Sequence, residues 1–156
     1  GRPDVLTFVS EPLEEDMTLV GPVDADLEVT LSTTDADFVV KLIDVWPDNT
    51  EYPGYQMLVR GDIMRGRYRR SFSAPEPFTP GEPTEVAFTM PDIAHTFRKG
   101  HRIMVQVQSS WFPLADRNPQ QFVDIYRCAA SDFIPCDVRI YHDRRRPSRL
   151  EVLRLR

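Results

Sequence analysis

At 156 residues, 41% apolar and 28% charged, the chain has the composition of one ordinary globular domain, 1–156. Such a domain buries about 70% of its unfolded surface and needs no disulfide or metal to fold. The net charge of −5 argues against general nucleic-acid binding, and no run approaches the roughly 18 apolar residues of a membrane-spanning helix.

Strand patterns dominate from the start. Val5–Val9 is a short apolar run, and Met17–Val23 carries a break or bulge at Gly21-Pro22. Leu27, Val29 and Leu31 alternate with polar residues, and the mostly apolar run Phe38–Trp46 predicts a central strand covered on both faces. Met57–Val59 and Ile63–Tyr68 flank Arg60-Gly61-Asp62, which reads as a tight hairpin turn. The segment PEPFTPGEP, 75–83, reads as a stiff loop crossing the sandwich, too poor in apolar residues to be core. Val86, Phe88 and Met90 alternate with polar residues, and the following Pro91–Phe97 suits one helical turn with proline in its first positions. Ile103, Val105 and Val107 then share one strand face, opposite Gln106 and Gln108. Val138, Ile140 and Leu150–Leu155 complete about nine or ten strands, with 14 prolines scattered among them. The expected fold is an all-β antiparallel sandwich or jelly roll.

The most informative stretch is GHRIMVQVQSSWFPLADRNP, 100–119. Its strand breaks into a loop carrying Trp111, Phe112 and Leu114 beside Asp116, Arg117 and Asn118. Large apolar groups and charges together on a strand-end loop suggest a contact surface. The competing reading makes Trp111 and Phe112 plugs at the sandwich end.

Catalytic chemistry is absent from the pattern. There is no G-x-S-x-G elbow, Gly-rich phosphate loop or H-E-x-x-H. His95, His101 and His142 each sit where a structural role suffices, and no two share a metal-ligand spacing. Asp24/Asp26 and Asp35/Asp37 pair carboxylates at i, i+2, which suits strand starts and turns more often than calcium. No metal or cofactor is expected. Cys128 and Cys136 enclose seven residues and lack the further ligands of structural zinc. A disulfide there is worth about 2.5 kcal/mol and makes sense only in an oxidising compartment; bridged and free states are both open. Residues 1–60 hold 13 acidic against 3 basic side chains, and the remainder 11 against 16, including the Arg144–Arg146 run. That asymmetry reads as solvated faces or as a means of holding a neighbouring domain in register.

Three segments together carry a resemblance. VLTFVSEPL (5–13), DADFVVKLIDVWPD (35–48) and 100–119 resemble the C-terminal, non-catalytic domain of the X-Pro dipeptidyl-peptidase superfamily of serine hydrolases. That group includes cocaine esterase, α-amino acid ester hydrolases and glutaryl 7-aminocephalosporanic acid acylases. The resemblance implies a jelly-roll β-sandwich of the galactose-binding type, packed against an α/β-hydrolase catalytic domain that lies upstream and holds the triad. The implied role is to brace that domain, help wall its substrate cleft and, in some members, support oligomerisation; the chain alone is then inactive. Trp111, Phe112, Leu114, Asp116, Arg117 and Asn118 are the candidates for the domain interface. The Cys128–Cys136 insert lies outside the resemblance. A carbohydrate-binding module, with Trp46, Tyr52 and Tyr55 as the sugar platform, is the alternative. The N-terminal GRPDVLTFV shows no signal-peptide pattern, so either the protein is not exported or its leader lies outside this sequence. Periplasmic or secreted placement is slightly favoured over cytoplasmic.

Overall fold

The computed structural model describes residues 4–156. The strands are β1 (Val5–Val9), β2 (Met17–Leu31), β3 (Asp37–Val45), β4 (Gln56–Arg65), β5 (Thr84–Phe97), β6 (Arg102–Gln108), β7 (Val138–Ile140) and β8 (Arg149–Arg154). One sheet has the order β1-β6-β3-β4; the other has β5-β2-β7, with β8 also pairing β2. All pairings are antiparallel. The two sheets face each other across one core, as the all-β expectation requires.

Inner faces follow the period of two. On β2, Leu19, Val23, Ala25, Leu27, Val29 and Leu31 are all buried. On β3, central between β6 and β4, both faces are covered.

Among the described residues eight strands replace nine or ten because runs read separately are continuous. Met17–Val23 and Leu27–Leu31 are both β2, which bulges against β8 at Gly21-Pro22 (Gly21 φ 82) and continues. The expected hairpin at Arg60-Gly61-Asp62 is mid-strand in β4. Leu42 pairs with Arg60 but Ile43 pairs with Leu58, so the irregularity is a bulge at Val59. A glycine is needed at 61 for space: a Cβ there would lie 2.8 Å from the Trp111 indole. The expected helical turn at 91–97 is also strand, the second half of β5. Gly21 pairs with Ile93 and Val23 with Met90, so β5 holds one extra residue around Pro91-Asp92. This bulge shifts the inward set from Val86 and Met90 to Ile93 and Phe97. Spacings of three and four then mimic a helical period within a strand. Arg60 Nη2, beside the β4 bulge, donates to the carbonyl of Asp92 at 2.5 Å in the β5 bulge.

The 75–83 loop departs from its expected role. Phe78 is 2% exposed and packs on Phe38, with the Arg69 guanidinium 4.0 Å from its ring centroid. Its backbone N–H donates to Thr34 O. A single aromatic, held by prolines on either side, was enough to reach the core.

Candidate functional site

The segment after β6 leaves the sandwich at Ser109 and returns at β7. Its first part rests on β3 and β4. The Trp111 indole lies over Gly61, with Lys41 Nζ 4.7 Å from the ring centroid. Lys41 Nζ also donates to Gln108 Oε1, whose amide nitrogen donates to Ser110 O. Trp111 is therefore half-buried against the sheet, whereas Phe112 and Leu114 are 64% and 72% exposed. The Phe112–Pro113 bond is cis. Asp116 and Arg117 are exposed; Asp116 O accepts from Arg65 Nη2, and the Arg117 guanidinium stacks 4.8 Å from the Phe133 centroid.

Asn118 differs from the other candidates in being buried, at 4% exposure. Its Nδ2 donates to Asp35 Oδ2 at 3.0 Å and Asp37 Oδ1 at 2.8 Å, and its Oδ1 accepts from Gln120 N. Both aspartates flank the start of β3, where i, i+2 spacing turns them toward the same amide. Arg67, in a 3₁₀ turn at Gly66–Tyr68, reaches Asp35 Oδ2 through Nε at 2.7 Å and Nη2 at 2.6 Å. The same guanidinium donates to the carbonyls of Val123 and Gln121 and lies 4.9 Å from the Phe122 ring. Arg65 Nε pairs with Asp37 Oδ1 at 3.5 Å. A buried network of two acids, two bases and one amide thus fastens residues 116–123 to the end of the sandwich.

Its electrostatics are uneven. Burial pushes the Asp37 carboxyl up from its usual 3.8 to about 6, although the Asn118 hydrogen bond and the Arg65 charge hold it down. Desolvation outweighs the Arg65 pair because that contact is long.

The i, i+2 acids all have protein partners. Asp24 Oδ1 accepts from Thr89 Oγ1, Asp26 pairs with Arg149, and Asp35 and Asp37 belong to the network above. Among the described residues no group of three or more His, Cys, Asp or Glu is arranged to hold a metal ion.

Sequence reasoning missed a second constellation. The Asp44 carboxylate, 1% exposed, contacts His95 Nε2 at 2.9 Å and His101 Nδ1 at 2.8 Å. His95 lies on β5 and Asp44 on β3, so the pair ties the two sheets together. The rings pack against Phe97 and Trp46, an apolar setting with no nucleophile in the constellation. An aspartate in an otherwise apolar run, Leu42-Ile43-Asp44-Val45, was the available signal.

Trp46, Tyr52 and Tyr55 do come together, with ring centroids 5.7–6.4 Å apart. Trp46 meets both tyrosines edge to face, and both tyrosines remain exposed. Cys128 and Cys136 are unpaired, their thiols donating to the carbonyls of Ile125 and Asp137.

Comparison with known proteins follows the same outline. The family model described as the X-Pro dipeptidyl-peptidase C-terminal non-catalytic domain matches residues 1–151. Cocaine esterase of Rhodococcus sp. (strain MB1 Bresler) is 43% identical over 117 residues, 75% of this chain and 20% of its own length. The crystal structure of an aminopeptidase from a marine sediment Thaumarchaeota archaeon superposes with a TM-score of 0.96 at 42% identity, over 99% of this chain and 26% of that one. An α-amino acid ester hydrolase gives a TM-score of 0.94 at 46% identity, over 97% and 25%. The chain therefore spans about a fifth to a quarter of the length of these relatives, which are larger hydrolases. The match across nearly the whole sequence, on a two-sheet antiparallel fold, means that the chain belongs to the X-Pro dipeptidyl-peptidase C-terminal non-catalytic domain family.

Proposed function

We propose that this chain is the accessory domain of a serine hydrolase acting on peptide, amide or ester bonds, that it braces an α/β-hydrolase catalytic domain of the same polypeptide, and that its 111–118 loop helps wall the substrate cleft. The observation that carries this reading is the contrast within that loop. Phe112 and Leu114 are largely exposed, yet the backbone beneath them is pinned by Trp111 on Gly61, by Arg65 on Asp116 O and by Asn118 on two buried acids. Apolar groups held outward on a fixed backbone lose little entropy on docking, which is the arrangement of an interface. The relatives named for esterase, aminopeptidase and amino acid ester hydrolase activity support the bond class.

The test uses the longer polypeptide that contains the catalytic domain. The double substitution Phe112→Ala/Leu114→Ala is expected to lower kcat/KM for an aminoacyl ester at least fivefold, or to split one unfolding transition into two. The same substitutions cost under about 0.5 kcal/mol in the 156-residue chain, since exposed side chains contribute little there. Unchanged turnover with unchanged cooperativity overturns the proposal. So does hydrolysis of the ester by the 156-residue chain alone.

A further inference from the structure

A cleft of about 830 Å³ opens along one side of the sandwich, between the edge strands β1 and β7. Leu6 and Val107 line it from one sheet, Val138 and Ile140 from the other, and Phe38 forms part of its floor. Phe8 on β1 meets His142, two residues past β7, edge to face. Gln120, which has a positive φ of 67°, lines the cleft, and its buried Oε1 has no hydrogen-bond partner. The volume is in the range of ligand-holding clefts, but the lining asks for something other than a small apolar molecule. β1 is at the outer edge of its sheet and β7 of the other, so both turn unpaired backbone groups outward. β1 carries no proline or charged residue, and its Leu6, Phe8 and Val9 are each at least 40% exposed, whereas β7 carries one exposed charge, Arg139. An extended peptide satisfies backbone donors, acceptors and apolar pockets together.

We infer that this cleft receives an extended, largely apolar segment of the catalytic domain, laid between β1 and β7 and donating a backbone N–H to Gln120 Oε1. The assignment rests on the accessory-domain reading above. One observation favours this occupant over a second copy. The hydrolases in which this domain family occurs are nearly four times as long as this chain, so a large covalently attached partner is at hand.

Two thiols report on it. Cys136 lines the cleft and Cys128 does not, and both are half-exposed when the cleft is open. After reduction, alkylation by N-ethylmaleimide is followed by peptide mass spectrometry in the longer polypeptide, each rate divided by that in urea. Cys136 is expected to react at least tenfold more slowly than Cys128, and β1 and β7 amides to exchange hydrogen slowly. Comparable rates at the two thiols overturn the inference. Protection that grows with protein concentration overturns it in favour of a second copy, and protection lost on organic extraction overturns it in favour of a small apolar ligand. If Cys136 is open while Phe112→Ala/Leu114→Ala still impairs turnover, the accessory reading stands and the cleft assignment alone falls.

Discussion

Replacing Asn118 by alanine isolates the anchor of the 109–137 segment. The substitution removes two hydrogen bonds to buried acids, at 3.0 and 2.8 Å, and one from the Gln120 backbone N–H at 2.9 Å. Bonds to charged groups are worth about 1.5–3 kcal/mol and a neutral one about 1, while Arg67 and Arg65 still partly compensate the two carboxylates. The expected loss is about 3–5 kcal/mol, a large part of the roughly 5–15 kcal/mol that holds a domain together. Urea unfolding followed by tryptophan fluorescence reads this as a lower midpoint at unchanged slope. A second signature separates anchoring from simple cavity formation. The Asn118 bond holds the Asp37 carboxyl down, so its loss moves that group further above 6. Stability then falls with rising pH over a window that extends higher than in the parent. A loss below about 1 kcal/mol with an unmoved pH profile would refute the reasoning.

Asp37 itself predicts the shape of that profile. Its folded value near 6 exceeds the usual 3.8, so the folded state binds the proton more tightly. The contribution is complete below about 4 and disappears as pH rises to about 6, amounting to on the order of 3 kcal/mol. In Asp37→Asn, whose side chain still accepts from Asn118, calorimetry between pH 4 and 7 is expected to show a flatter curve. A Cβ on Gly66 would lie 2.5 Å from Ala36 O and 2.7 Å from the Phe78 ring, so Gly66→Ala is expected to cost about 2–3 kcal/mol by thermal unfolding. Asp44→Ala leaves His95 and His101 without their shared partner and is expected to cost about 2–4 kcal/mol in urea. Asp44→Asn, which can accept from one ring and donate to the other, costs less than half of that.

The elements that could be read from sequence were those whose burial is regular. β2 alternates over much of its length, and β3 is apolar on both faces because it lies between β6 and β4. β4 and β5 were misread where bulges interrupt the alternation, since the signal at Val59 or Asp92 depends on the partner strand. The six candidates on the 111–118 loop are adjacent in sequence, but which of them turns inward could not be read there. Asn118 turns inward because Asp35 and Asp37, more than 80 positions earlier, meet its amide, and no local pattern records that meeting. His95, His101 and Asp44 were hidden in the same way: each looks solitary until β3 pairs with β6 and faces β5. Phe78 shows that one aromatic among prolines can enter a core that composition assigns to other segments.

The bulge at Pro91-Asp92 also governs which changes of length this domain tolerates. A deletion in a regular strand turns inside out every side chain up to the next irregularity. Removing one residue from the bulge instead leaves Met90 and Ile93 two positions apart, which restores plain alternation and keeps Ile93 and Phe97 inward. The sacrifice is the carbonyl that Arg60 holds from the opposite sheet. Shortened relatives of this domain are therefore expected to have lost their residue here, and to carry something other than arginine where Arg60 stands.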